Sequence, residues 1–177
     1  MPALQAHPKL QSLDFGDCQL GDDGIRQICT LLPSSEGRNG LIELTLSANQ
    51  DVSPQGWTQL AIAIAANSQL QNLYLDYNNI GDYGAGVLSV AMAANSMLER
   101  VDLEGCGVGE KGGEVFFAVI ANYPTKIQEL VLFENNVSAE LIGQINDCLN
   151  QKSQDSVEEQ ESSEKSQEED RSNEVAC

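Results

Sequence analysis

Positive charge is the scarcest property of this chain. Its 177 residues include nine Lys and Arg against 27 Asp and Glu, a formal charge of -18. That balance argues against a nucleic-acid backbone or an anionic membrane as partner, since either would repel the chain before contact. A basic or mixed-charge protein is the partner that electrostatics favours. Histidine occurs once, at His7 between Ala6 and Pro8 in an unanchored segment, so a Ser or Cys nucleophile has no base beside it and no catalytic residue is assigned. Cysteines are five, Cys18, Cys29, Cys106, Cys148 and Cys177, without a C-x-x-C pair. An odd count at that spacing speaks against a zinc site or a tight disulfide framework, and no metal or other cofactor is expected. Long apolar runs are missing too. The longest, Leu60 to Ala66, is too short to span a bilayer, and MPALQAHPKL has no signal-peptide core. The expected address is cytoplasmic, or nuclear.

What the chain does have is a repeat. The pattern Leu-x-x-Leu-x-Leu-x-x-Asn-x-Ile in LQNLYLDYNNIGDYG (70 to 84) returns at Leu10, Leu41, Leu98 and Ile127, with periods of 31, 29, 28 and 29. Periods of that length hold one strand and one helix per unit. The turn-rich PSSEGRNG (33 to 40) accounts for the long first period. Helical stripes follow each strand: Ile25, Ile28, Leu31 and Leu32; Trp57, Leu60, Ala61 and Ile64; Val87, Leu88, Ala91 and Met92; Val115, Phe116, Val119 and Ile120; Leu141, Ile142, Ile145 and Leu149. Ser53 followed by Pro54, and Ser138, read as helix starts, so Asn136-Val137-Ser138 is a chance glycosylation tripeptide. Asn67 and Asn95 stand just past two helices, where a left-handed residue is tolerated. One strand and helix cannot bury its own apolar face, so the units must stack around a shared core. The expected fold is α/β, a right-handed βα solenoid of about five repeats with a parallel sheet on the concave face and helices on the convex one. Residues 1–9 form an N-terminal segment, 10–150 the arc and 151–177 a tail with nine acidic and three basic residues, expected to be disordered.

Register then predicts the inner surface. With the leucines turned to the core, the residues between and just after them face outward. The first column is Ser12, Glu43, Asn72, Arg100 and Glu129; the second Asp14, Thr45, Tyr74, Asp102 and Val131. The third is Gly16, Ser47, Asp76, Glu104 and Phe133; the fourth Asp17, Ala48, Tyr77, Gly105 and Glu134. These positions carry eight carboxylates and one arginine. Tyr74, Tyr77 and Phe133 among them give the composition of a protein-binding patch with an acidic rim. The residues expected to make it are Asp14, Glu43, Thr45, Asn72, Tyr74, Asp76, Tyr77, Arg100, Asp102, Glu104, Glu129 and Phe133. The competing explanation is a solvated strand face on a chain whose default is acid. Trp57, at helix-stripe spacing, belongs to the core.

The units LDFGDCQLGDDGI, LTLSAN, LAIAIA, LDYNNIGD, VDLEG and NYPT resemble the ribonuclease-inhibitor-like class of leucine-rich repeats, which also occurs in Ran GTPase-activating proteins and in the sensor arms of NOD-like receptors. The resemblance covers about residues 3 to 149. It implies a horseshoe and protein binding, with no assigned activity to carry over. Members have further repeats before the point matching Met1, so a shortened N-terminal end is expected, with Leu10, Leu13 and Phe15 on an uncovered edge strand open to self-association and a monomer otherwise. Two rival readings follow: a Ran-activator-like GTPase regulator, on fold analogy alone, and a truncated isoform lacking the main binding surface.

Other signals are weaker. Gly107-Val108-Gly109-Glu110-Lys111-Gly112 matches a dinucleotide fingerprint, but Gly109 and Gly112 align with Gly21 and Gly24 and with Gly81 and Gly84, so the repeat turn explains them. Cys18 and Cys106 occupy the place of Asn49, Asn78 and Asn135, which faces the turn core, and both are expected to be structural. Ser156 and Ser166 lie in acidic contexts of the kind used by casein-kinase-like enzymes. Val175-Ala176-Cys177 loosely resembles a C-terminal PDZ ligand.

Overall fold

A computed structural model describes residues 2–34, 40–67 and 69–154. Each repeat begins with a three-residue strand: β1 (Ser12–Asp14), β2 (Glu43–Thr45), β3 (Asn72–Tyr74), β4 (Arg100–Asp102) and β5 (Glu129–Val131). All pair in parallel, in sequence order. The middle residue of each strand turns to the core, and Leu44, Leu73 and Val101 are fully buried. A parallel pair needs a crossover, and helices supply it: α2 (Asp22–Cys29), α3 (Pro54–Asn67), α4 (Gly81–Ala94) and α5 (Glu110–Asn122), while α6 over 139–154 follows β5 and backs it. Such crossovers are right-handed because a right-twisted strand returns to its sheet only that way. Helices need about twice the spacing of paired strands, so the array curves with the sheet inside.

The core runs unbroken from Ile25 to Leu149. Ser53 and Ser138 start their helices as expected, their hydroxyls accepting the amides of Gln55 and Leu141. Several expectations need correction. α2 ends at Cys29, and Leu31 and Leu32 are buried in the turn behind it. Val115 is exposed on α5, with Phe116 and Ile120 the buried pair. Asn95 is extended (φ -90, ψ 127) rather than left-handed. Its side chain closes the turn instead, accepting from the Met97 and Leu98 amides and donating to the Ile64 carbonyl of the repeat before. A short helix, α1 (Pro2–Gln5), precedes the first repeat and sets Leu4 against the core edge beside the half-buried Leu10, Leu13 and Phe15. At the other end α6 continues four residues beyond the change of composition after Asn150. The rest of the tail, with Ser156, Ser166 and Cys177, lies outside the described residues, as do residues 35–39 of the lengthened loop.

Two ladders lock one repeat to the next. In the first, asparagines replace backbone partners at the strand ends. Asn78 Oδ1 accepts the Asn49 amide at 2.7 Å, while its Nδ2 donates to the carbonyls of Leu46 (3.0 Å) and Leu75 (2.7 Å). Asn49 does the same toward the first repeat, accepting from Cys18 and Leu20 and donating to Phe15. Asn135 does so toward the fourth, accepting from Val108 and donating to Leu103. Cys106 fills the place with a thiol that donates to the Leu75 carbonyl, and burial pushes that thiol up to about 12. Cys18 departs from the structural role expected for it. It is exposed, with its thiol turned to its own repeat's Gly16 carbonyl.

The second ladder joins the helices. An acid in the first turn of one helix caps the next: Asp22 accepts the hydroxyl and amide of Ser53, Asp82 the amides of Gly109 and Gly112, Glu110 the hydroxyl and amide of Ser138. Each carboxylate satisfies orphan amides of a helix start and sits at its positive dipole end.

Truncating Asn78 leaves buried backbone groups of two repeats unpaired, so Asn78→Ala is expected to lower unfolding free energy by about 3 kcal/mol in urea titration. Asn135→Ala, at a half-exposed position, should cost less; equal costs would mean the amide ladder is not what matters. The hydroxyl and amide of Ser53 hold the Asp22 carboxyl below its ordinary value. A depressed folded pKa gives stability that is present above the unfolded value, about 3.9, and lost as pH falls through the folded one. The Tm difference between wild type and Asp22→Asn should therefore be full at neutral pH and close below about pH 4.

Candidate protein-binding face

The strand pairing places the predicted columns side by side. Ser12, Glu43, Asn72, Arg100 and Glu129 are successive partners, as are Asp14, Thr45, Tyr74, Asp102 and Val131. Beyond the strands the ladder continues into the turns: the amides of Asp17, Ala48, Tyr77 and Gly105 donate to the carbonyls of Ser47, Asp76, Glu104 and Phe133. All twelve expected residues thus belong to one surface.

Chemically that surface has two halves. On the strands, Arg100 pairs with Glu129 and lies 3.5 Å from Asp102, with its guanidinium 5.5 Å from the centre of the Tyr74 ring. Burial raises the Asp102 carboxyl, opposed by the Glu104 amide and Arg100. Tyr74 is half-buried, so its ring is a platform for Arg100 rather than the open aromatic that sequence implied. Glu43 accepts the Ser12 hydroxyl and Asp14 the Gly16 amide. Thr45 and Asn72 are half-buried between these groups.

At the strand ends no cation stands in the third and fourth columns. Asp76 accepts the Ser47 hydroxyl at 2.5 Å, and Glu104 accepts the Tyr77 hydroxyl at 2.6 Å. Phe133 is 68% exposed and Tyr77 43%. These two, with Asp76, Glu104 and Glu134, make the open part of the face. Its backbone is unusual: Asp17, Ala48, Tyr77, Gly105 and Glu134, the whole fourth column, have positive φ between 50 and 62. Glycine meets that demand without cost, and at Gly105 there is a second reason for it. A Cβ there would lie 2.7 Å from Cδ1 of Tyr77, so the ring rests on the bare backbone of the next repeat. Sequence reasoning did not include Gly105 in the site. Its alignment with a tyrosine in the neighbouring repeat was the available signal.

The dinucleotide-like string has no room for a phosphate. The Gly109 and Gly112 amides that would receive one are taken by Asp82, and a Cβ at Gly112 would be 2.7 Å from Val108. Among the described residues no group of His, Cys, Asp and Glu could hold a metal ion, and no helix is long and apolar enough to cross a membrane.

Parallel three-residue strands, asparagine-closed turns and a helix behind each strand define the class: the chain belongs to the leucine-rich repeat family. The family model described as Leucine Rich repeat matches residues 6–29, 66–89 and 94–117. The chain is similar to leucine-rich repeat-containing protein 73 of Rattus norvegicus and of Homo sapiens, 47% identical to each over 150 residues, or 85% of this chain and 48% of the relative. It thus spans about half the length of the curated relatives it matches.

The hydrogen bond to Glu104, with lesser contributions from burial and from Glu134 and Asp76, raises the Tyr77 phenol from 10.0 to about 12. Ultraviolet titration of wild type against Tyr77→Phe isolates that phenol. In Glu104→Gln it is expected to ionise closer to the ordinary tyrosine value, about 10; an unchanged difference titration would mean the two side chains do not meet in solution.

Proposed function

We propose that this chain is a non-enzymatic protein-interaction module whose inner face binds a basic or mixed-charge protein segment. The observation that carries the reading is the open strand-end patch, where exposed Phe133 and Tyr77 share two columns with Asp76, Glu104 and Glu134 and with no Lys or Arg. Aromatic anchors beside carboxylates suit lysine and arginine side chains, whose stems pack on rings while their charges meet the acids. The sheet is fixed by the ladders on either side, so little ordering entropy is lost on contact. The leucine-rich repeat family supports a role in protein binding. The inner face has no His, Ser–His pair or closed acid pair from which to build a reaction.

Peptide-display selection against the whole chain tests this reading. Selected peptides are expected to be rich in Lys and Arg. Their affinity should fall steeply from about 0.15 to about 1 M salt, as the Debye length shrinks from about 8 to about 3 Å. Phe133→Ala combined with Tyr77→Ala should weaken them by about tenfold or more, since two hot-spot rings are removed. Selection of acidic or neutral peptides, or binding indifferent to the double substitution, would overturn the proposal.

A further inference from the structure

The strand half of the inner face already contains a bound guanidinium, and it is the chain's own. Tyr74 of one repeat meets Arg100 of the next, whose guanidinium stands 5.5 Å from the ring centre while it pairs with Glu129 and reaches Asp102 at 3.5 Å. One planar cation thus serves a tyrosine ring and two carboxylates drawn from three repeats. Two columns further on, Tyr77 takes the place of Tyr74, and the position matching Arg100 is held by Glu104. There the tyrosine and the carboxylates recur, and the two columns hold no Lys or Arg.

The backbone leaves room for such a group. The Tyr77 amide donates to the Glu104 carbonyl and the Gly105 amide to that of Phe133, so Gly105 lies between the two rings in the ladder. Neighbouring strands are about 4.8 Å apart, which sets the Tyr77 and Phe133 backbones about 10 Å from each other with no side chain on the residue between. The Tyr77 ring rests on that bare glycine. Charge borders the same gap: Glu104 gives one oxygen to the Tyr77 hydroxyl and keeps the other, and Glu134 accepts from no donor among the described residues. Glu104, Glu134 and Asp76 all act on the Tyr77 phenol, which places the three acids around one ring.

We infer that this gap is an arginine subsite of the inner-face reading above, on which it rests: a partner's guanidinium stacks between Tyr77 and Phe133 and donates to Glu104 and Glu134. Lysine carries the same charge but does not replace it. A guanidinium is flat, weakly hydrated and has several donors in one plane, so it can lie on a ring and meet two carboxylates at once. An ammonium is a compact, strongly hydrated point that must give up water to sit between rings. Arg100 shows that this surface accommodates the planar group in that manner.

The probes are two labelled peptides, one built of Gly, Ser and Arg and the other with every Arg replaced by Lys, so that length and charge are equal. Titrated against the whole chain, the arginine peptide is expected to bind about tenfold more tightly. Phe133→Leu keeps an apolar side chain at an exposed position and removes the flat face, so it should shrink that ratio to about two or less. Tyr83→Leu, an exposed ring on the outer side of α4, should leave the ratio as it was. On the 15N-labelled chain the arginine peptide should shift the amides of Tyr77, Gly105 and Glu134. A ratio near one, a ratio that Phe133→Leu leaves intact, or shifts confined to other residues would overturn the subsite and leave the inner face a binder of basic segments in general. Binding by neither peptide would remove both readings together.

Discussion

The asparagine amide just beyond β2, β3 and β5 is the interaction on which this architecture turns. A three-residue strand offers too few ladder bonds to fix its own register, and its backbone must then leave the sheet at once without stranding polar groups in the core. Asn78 meets both demands, because one side chain accepts from the repeat before it and donates to carbonyls of both repeats. A one-residue slip would break those bonds and turn Leu44 and Leu73 to solvent together. The asparagines therefore decide which side chains share the inner face.

A second consequence falls on the residues just before the amide. To bring it back under the sheet, the chain passes through left-handed backbone at every turn, whatever residue is present: Asp17, Ala48, Tyr77, Gly105 and Glu134. A bulky side chain held there costs about 1–3 kcal/mol. Tyr77 is the residue for which that cost is least expected, and its ring is held by the bare backbone of Gly105 and by Glu104. Neither partner belongs to its own repeat, so this corner of the inner face exists only in the stacked array. The capping acids work in the same way, since Asp22, Asp82 and Glu110 each satisfy a helix start that is not their own.

Charge divides the two faces of the solenoid. On the inner side acid is concentrated, and the one arginine of the columns is spent on Glu129, Asp102 and the Tyr74 ring. On the outer side of α3 and α4 charge is nearly withdrawn.

Much of this was legible in the residues alone. Regular leucines set strand positions, helix stripes and the four inner columns, because alternation in a strand and 3.6-residue spacing in a helix are properties of the local backbone. Helix starts at Ser53 and Ser138 were legible for the same reason. What the residues could not disclose were contacts between groups about 28 residues apart: the pairing of Tyr77 with Glu104, the capping of Gly109 by Asp82, the platform Tyr74 makes for Arg100, and the exposure of Cys18 at the edge where Cys106 is buried in the middle. Local pattern decides what each repeat is. Only stacking decides which side chains meet across repeats, because that depends on the distance between neighbouring turns.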